Sequence, residues 1–273
     1  MSQRERDHHG DQPAPPRQPL TLLVFDGAGT AGRTSKVVDA VAERIRWKTG
    51  CHVVWVPWAA SLIGVGGKTP WPVATAEAIR WAVDYMWRHE GQYVLVGYSA
   101  GCRPARELLQ RHPGLKDQVA AIAHLADPWQ PANRQQDGVP NGPGHGIMGQ
   151  EWGPVPNRTF WCGAPWDPIC RAAPDSLLRY LTASTDAVPG GLFHAFVDKA
   201  HRGRLQLIPF LGLPLHLWFG GLGGRIQRSI GEAQSYLGDG HDVAYKRYFP
   251  TPGDTRSLAH RLADSVAWRV RDL

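Results

Sequence analysis

The pentapeptide Gly97-Tyr98-Ser99-Ala100-Gly101 constrains this 273-residue chain more than any other stretch. The apolar run Gln92-Tyr93-Val94-Leu95-Val96 precedes it, and the residues after it can be helical to about Arg111. A serine placed between a strand and a helix must turn sharply, on a strained backbone that projects its hydroxyl away from both elements. Its neighbours two positions away must be glycine or similarly small, or strand and helix could not pack so closely. Pro104 falls in the first turns of the helix, where a missing N–H donor costs least. The pattern nominates Ser99 as a nucleophile.

The surrounding pattern supplies a scaffold for it. Leu20 to Phe25 reads as a first strand, followed by a Gly-rich turn and a helix over about Ser35 to Lys48. Cys51 to Val56 reads as a second strand, and Ala74 to Arg88 as a helix with Ile79, Ala82, Val83 and Met86 on one face. Tyr93 to Val96, Val119 to Leu125 and Thr159 to Cys162 read as the third, fourth and fifth strands. Strands alternating with helices imply a mostly parallel sheet covered on both faces, with an active site at the carboxyl ends of the strands. The expected fold class is therefore α/β, of the α/β-hydrolase type.

Two stretches break the alternation. Gln130 to Asn157 is rich in Gly, Pro and Asn and reads as a long surface loop. Ser184 to Tyr236 reads as an apolar, Gly-rich insertion with helices near Leu192–Asp198 and Ile226–Tyr236. The expected organisation is a disordered lead-in over residues 1–19 and a hydrolase core over 20–183 that carries the serine and an acid. A helical apolar insertion, linker or lid, occupies 184–236, and residues 237–273 complete the core with a histidine and the last helix.

Composition narrows the class. The lead-in is polar, carries Pro13, Pro15, Pro16 and Pro19, and lacks the apolar region of a signal peptide, so no secretion by the usual route is expected. The longest apolar run, Leu205 to Phe219, is too short to span a bilayer and contains Pro209, Pro214 and His216. A soluble protein is expected. The formal net charge of +6 favours anionic partners such as a cell envelope, whereas no nucleic-acid-binding signature is present. The 12 tryptophans suit a hydrolase of greasy or sugar-rich polymers, with core packing as the plain alternative. Cys51, Cys102, Cys162 and Cys170 form no CxxC pair, so neither a metal site nor a cofactor is expected. Cys162 and Cys170 bracket one short loop, which leaves a disulfide and two free buried thiols both open.

Two glycine motifs compete with the serine reading. Gly27-Ala28-Gly29-Thr30-Ala31-Gly32 matches the dinucleotide-binding GxGxxG after a strand and before a helix. That function also needs an acid at the end of the second strand, where Val54-Trp55-Val56-Pro57-Trp58 has none. A serine hydrolase needs a Gly-rich loop at the same place, to supply an oxyanion donor. Gly66-Gly67-Lys68-Thr69 resembles the end of a P-loop, but Leu62 stands at the first glycine position and Pro70 follows where a helix should start.

A serine nucleophile needs a base within hydrogen-bond reach and an acid to hold that base. In this fold the chain order is Ser, acid, His. Asp127 and Asp167 both follow strands after the elbow. Asp167 lies one strand later, where the acid loop belongs, and is favoured; for either residue the alternative is a carboxylate capping a turn before proline. Of His194, His201, His216, His241 and His260, the favoured base is His241. It lies in the glycine loop Gly238-Asp239-Gly240-His241, and a surface-loop histidine is its plain alternative. The expected oxyanion donors are the N–H of Ala100 and a group on the Gly29-Thr30 loop, assigned to Thr30.

Gly97-Tyr98-Ser99-Ala100-Gly101, then Asp167 inside Cys162…Asp167-Pro168-Ile169-Cys170, then Gly240-His241-Asp242-Val243-Ala244-Tyr245 together resemble the cutinase-type serine esterases. The apolar insertion between acid and histidine is similar to that of the phage lysin B enzymes, the mycolylarabinogalactan esterases of phages that infect mycobacteria and their relatives. The resemblance runs from Leu20 to the C-terminus. It departs at Ala100, where cutinases commonly carry Gln, a change a backbone donor tolerates. The resemblance implies an ester substrate joining mycolic acid to arabinogalactan, or another long-chain lipid ester. It also implies a protein made in the host cytoplasm that acts on the envelope at lysis. Phe210, Leu213 and Trp218 of the insertion are candidate acyl-chain contacts, or simply the core of the insertion. A general cutinase-like lipase or esterase, a dinucleotide-binding protein and a non-catalytic wall-binding protein remain as alternatives.

Overall fold

The computed structural model describes residues 19–30, 35–62, 67–135, 138–142, 144–179, 222–236 and 240–273. Among these, one sheet is built from β1 (Leu20–Phe25), β2 (His52–Trp55), β3 (Gln92–Tyr98), β4 (Val119–Leu125) and β5 (Thr159–Cys162). All neighbouring strands pair in parallel, in the order β2-β1-β3-β4-β5. The chain leaves β1 for one edge and returns past it to β3, so the winding reverses between β1 and β3. A crevice opens at such a reversal, outside the carboxyl ends of the strands.

Alternate residues of a strand serve opposite faces. Leu22 and Val24 of β1 join Val38, Val41 and Ile45 of α1 (Lys36–Thr49) in one core layer, with Leu262 and Val266 of the last helix. Leu23 and Phe25 join the other layer, with Ala78, Ile79 and Ala82 of α2 (Trp71–Arg88) and Leu108 of α3 (Cys102–Arg111). Strand β4 is buried along its whole length, as expected of a strand covered on both faces. Among the described residues α4 (Pro168–Arg171) is followed by α5 (Leu222–Ser235), α6 (Val243–Arg247) and α7 (Leu258–Val270). None of the described helices is long and apolar enough to cross a membrane.

Local signals explain the boundaries. Ser35 caps α1, its hydroxyl accepting from the Val38 N–H at 3.4 Å, and Gly50 ends it in the left-handed region at φ 71°. Helix α2 begins at Trp71, three residues before its expected start, because Pro72 sits in the first turn where no donor is missed. The helix expected at Ile226–Tyr236 spans Leu222–Ser235. Strand β2 is shorter than its Val-rich run, and β3 extends two residues further, to Tyr98. The expected helix at 192–198, the apolar run 205–219 with Phe210, Leu213 and Trp218, and His194, His201 and His216 lie outside the described residues. So does the lead-in up to residue 18.

His124 on β4 is 1% exposed. Burial, its largest influence, pushes the imidazole down to about 4; the Asp127 charge opposes this and Arg106 adds to it. The unfolded chain takes up this proton near 6.5, the folded chain only near 4. The stability held by neutral His124 is thus present above pH 6.5 and lost as the pH falls toward 4, by about 3 kcal/mol in total. Urea unfolding at pH 7 and pH 4.5 should show a steeper loss for the wild-type chain than for His124→Gln. Parallel losses would place the acid sensitivity elsewhere.

Candidate active site

Ser99 is the last step of β3 before α3, and its backbone lies at φ 53°, a region that side chains larger than hydrogen seldom adopt. The two glycines around it are sterically required. A Cβ on Gly97 would lie 2.7 Å from the Cα of Cys102, and one on Gly101 would lie 2.1 Å from the carbonyl oxygen of Phe25. The turn therefore holds the Ser99 side chain at the crevice between β1 and β3.

There the hydroxyl meets His241. The Oγ of Ser99 is 2.9 Å from Nε2 of His241, and Nδ1 of the same ring is 2.9 Å from Oδ2 of Asp167. Asp167 lies beyond β5 and is fully buried. Its Oδ1 accepts from the Ile169 N–H at 3.0 Å, so the carboxylate also caps α4. With that carboxylate ionised, Nδ1 carries the ring proton and Nε2 is free to accept from the serine hydroxyl. The arrangement can activate Ser99 toward an electrophilic carbon and store its proton on the imidazole.

Asp127, the rival acid, is committed elsewhere. It is fully buried and ion-paired with Arg106, itself 2% exposed, and it accepts from Trp161 Nε1 at 3.1 Å and the Trp129 N–H at 3.0 Å. Desolvation, the largest influence, raises its carboxyl, but the Arg106 and His124 charges together with the hydrogen bonds from Arg106 and Trp129 hold it below the usual carboxylate range. The described bonds of the Asp127 side chain thus reach α3, β5 and its own turn at Trp129, and none reaches His241. His260 lies in α7, half-buried, with burial as the first cause lowering its imidazole.

Three tyrosines that the motifs did not single out complete the surroundings. Tyr98 stacks on the His241 ring at 5.3 Å and donates its hydroxyl to the His241 carbonyl at 2.7 Å. Tyr236 flanks the same ring at 4.8 Å. Tyr245 donates to Oδ2 of Asp167 at 2.7 Å while its oxygen accepts from the Ala164 N–H at 3.1 Å. Burial, followed by the Asp167 charge, raises all three phenols, Tyr236 to about 12. All three therefore remain O–H donors at neutral pH. Tyr98 is the x of Gly-x-Ser-x-Gly and Tyr245 closes the His241 motif; their spacing alone carries no sign of either bond.

The loop after β1 lies against the elbow: a Cβ on Gly27 would be 2.9 Å from the Tyr98 ring and 3.5 Å from the Cβ of Ser99. Asp26, 6% exposed, straps this loop, accepting from the N–H groups of Gly27 and Ser35, each at 2.7 Å. The Gly29 N–H is taken by the Ala60 carbonyl at 2.9 Å, and the Thr30 hydroxyl donates to the Gly27 carbonyl at 2.5 Å. The side chain of Thr30 is thus engaged within its own loop, which leaves its backbone as the group to consider there. Ala100, the other expected donor, is buried in the 3-10 turn that opens α3. The same strap argues against a dinucleotide. Loop amides that would cradle a pyrophosphate are held by a carboxylate of the chain, and that carboxylate would repel it. Gly32, the last glycine of that motif, lies outside the described residues.

The four cysteines are free and buried. Cys170 Sγ lies 3.4 Å from the Tyr245 hydroxyl, whereas the Cys162 thiol donates toward the Leu258 carbonyl at 3.5 Å. Of the two possibilities left open for this pair, the structure takes the free thiols. Among the described residues no group of three or more His, Cys, Asp or Glu side chains is placed to hold a metal ion.

The two aspartates give opposite expectations. Asp127→Asn leaves buried Arg106 with only the exposed Glu151 carboxylate, 3.7 Å from its Nε, and should lower unfolding free energy by about 3–5 kcal/mol. Tyr245→Phe removes one donor from the buried Asp167 carboxylate and should cost about 1–3 kcal/mol. Chemical denaturation of both variants measures this, and an Asp127→Asn loss smaller than that of Tyr245→Phe would contradict the assignment of the ion pair.

No family model matches the sequence, and no curated protein matches it. Solved structures do. Lysin B from Mycobacteriophage D29 superposes with a TM-score of 0.50 at 11% identity, over 92% of this chain and 98% of that one. A cutinase-like protein from Cryptococcus sp. gives 0.43 at 14% identity, over 82% and 95%. An acetylxylan esterase gives 0.43 at 16%, over 66% and 93%. With a parallel sheet of order β2-β1-β3-β4-β5 between helical layers, and a serine on the turn from β3 to α3, the chain has the α/β-hydrolase fold.

Proposed function

We propose that this protein is a cutinase-like serine esterase, and that its natural substrate is the ester between mycolic acids and arabinogalactan. The observation that carries the esterase reading is the pair of 2.9 Å contacts linking Ser99, His241 and Asp167 at the carboxyl ends of β3 and β5. Ser99 Oγ attacks the ester carbonyl while His241 Nε2 takes its proton, and the Asp167 carboxylate stabilises the imidazolium. The carbonyl oxygen, now negative, is held by the Ala100 N–H and a backbone N–H of the Gly27–Thr30 loop, with Thr30 as the donor because Gly29 is already bonded. Imidazolium then protonates the departing sugar hydroxyl, and the acyl group stays on Ser99. Water, deprotonated by His241, releases the fatty acid and restores the serine.

The finer substrate rests on the motif resemblance and on the apolar run 205–219, where Phe210, Leu213 and Trp218 would receive the long acyl chain. Lysin B of a mycobacteriophage shares this fold across nearly the whole of both chains, which suits that reading. The net charge of +6 suits an anionic envelope, reached at lysis after synthesis in the host cytoplasm. A general cutinase-like esterase uses the same triad, so substrate preference separates the two.

A fluorophosphonate probe should label Ser99, mapped by mass spectrometry, and Ser99→Ala should lower kcat on p-nitrophenyl esters on the order of 10⁶-fold, since triad members act as a unit. Near-full turnover in that variant would end the proposal. Release of mycolic acid from purified mycolyl-arabinogalactan, with turnover rising along a series of longer acyl esters, supports the finer substrate. Turnover confined to short acyl chains leaves a general esterase instead.

A further inference from the structure

Away from the crevice, beside the edge strand β5, a cleft of about 950 Å³ is lined by Lys48 at the end of α1, Arg256, and Arg261, Asp264, Trp268 and Arg271 on or beside α7. Among the described residues its charges do not balance. Asp264 is shared by Arg44 at 2.7 Å, Lys48 at 3.4 Å and Arg256 at 3.5 Å. Asp254 is shared by Arg256 at 2.6 Å and Arg261 at 2.8 Å. Two carboxylates thus serve four cations, and the neighbouring Arg271–Asp272 pair leaves that surplus unchanged. Arg261 is only 6% exposed, yet its Nε has no hydrogen-bond partner. At the rim, Trp268 is 63% exposed with the Arg271 guanidinium 5.1 Å over its ring.

The geometry points to a second binding site, for an anionic glycan whose carboxylate or phosphate groups neutralise the surplus charge. Guanidinium groups match such oxyanions with paired N–H donors, and a concave wall of one sign concentrates the attraction. Trp268 supplies a flat apolar face on which a sugar ring can lie. The cleft has far more room than one small anion needs, and it offers a single exposed indole rather than the series of rings on which successive bases of a nucleic acid stack. The site would hold the protein on a charged polymer while the crevice at Ser99 works on its ester, and it is independent of that chemistry.

The test measures binding of the full-length protein to polygalacturonate and to phosphorylated dextran by calorimetry. Neutral dextran, inorganic phosphate and a single-stranded oligonucleotide serve as comparisons. Both anionic polymers, or one of them, should bind with an affinity that falls as salt rises, and dextran should not. Arg256→Ala and Trp268→Ala should each weaken binding about tenfold or more while leaving ester turnover and melting temperature as in the wild type. Ser99→Ala should bind like the wild type, which separates this site from the esterase. A glycan bound equally well by both cleft variants, or by neither wild type nor variants, overturns the proposal. Equal affinity for inorganic phosphate, or tighter binding of the oligonucleotide, overturns it as well, in favour of a small-anion or a nucleic-acid site.

Discussion

The site depends on a backbone-to-backbone approach that tolerates no side chain. Gly101, at the start of α3, is pressed so closely on β1 that an added Cβ would lie 2.1 Å from the Phe25 carbonyl oxygen and 2.5 Å from that of Asp26. Because α3 seats there, β3 must turn within one residue, and Ser99 takes the left-handed conformation at φ 53°. Strain of this kind persists only where the surroundings over-determine it. Here the surroundings are the two cores on either side of a sheet whose central strands are buried on both faces. The loop after β1 is held by the same joint, through Gly27 against Tyr98 and through the Asp26 strap, so Ser99 and that loop share one rigid support.

The second requirement is the treatment of buried carboxylates. Asp127 and Asp167 follow neighbouring strands and are both fully buried, yet they have opposite partners. Asp127 is neutralised by a buried guanidinium and bonded by indole and amide donors, an arrangement that ties elements together and includes no described bond to an imidazole. Asp167 has no guanidinium partner among its described bonds. Its charge is met by the Ile169 amide, the Tyr245 hydroxyl and the His241 ring, all neutral donors when the imidazole is neutral. A carboxylate satisfied in this way keeps a strong field at Nδ1, which a fully paired carboxylate would not. The His241 ring is also positioned by packing, with Tyr98 on one side and Tyr236 nearby, so its orientation does not rest on the Asp167 bond alone.

Much of this was legible from residue order. Strands β1, β4 and β5 fall where their apolar runs fall, and α1 (Lys36–Thr49) lies within one residue of its expected bounds at each end. Ser99, Asp167 and His241 come together as expected from strand ends and chain order. The tyrosines were not legible, because a tyrosine in a motif reads as packing until the fold shows which oxygen its hydroxyl reaches. Asp26 was hidden for a related reason: its partners are Gly27 and, across the loop, the amide of Ser35, a pairing no period or motif encodes. Thr30 is expected from the sequence to offer an oxyanion donor, without a choice between its groups; its hydroxyl is turned back onto its own loop, a choice set by local hydrogen bonding.

The sequence by itself determined the class of fold and the serine at its sharp turn, because periodicity and glycine placement act locally: a strand, a sharp turn and a helix are dictated by residues only a few positions apart. Only the tertiary structure decided which acid serves the histidine and which is a structural ion pair. It also decided that two cysteines eight positions apart form no disulfide, and that cations spread between positions 44 and 261 crowd two carboxylates beside β5. Those outcomes depend on distances between segments remote in sequence, and such distances exist only once the sheet has brought the segments together.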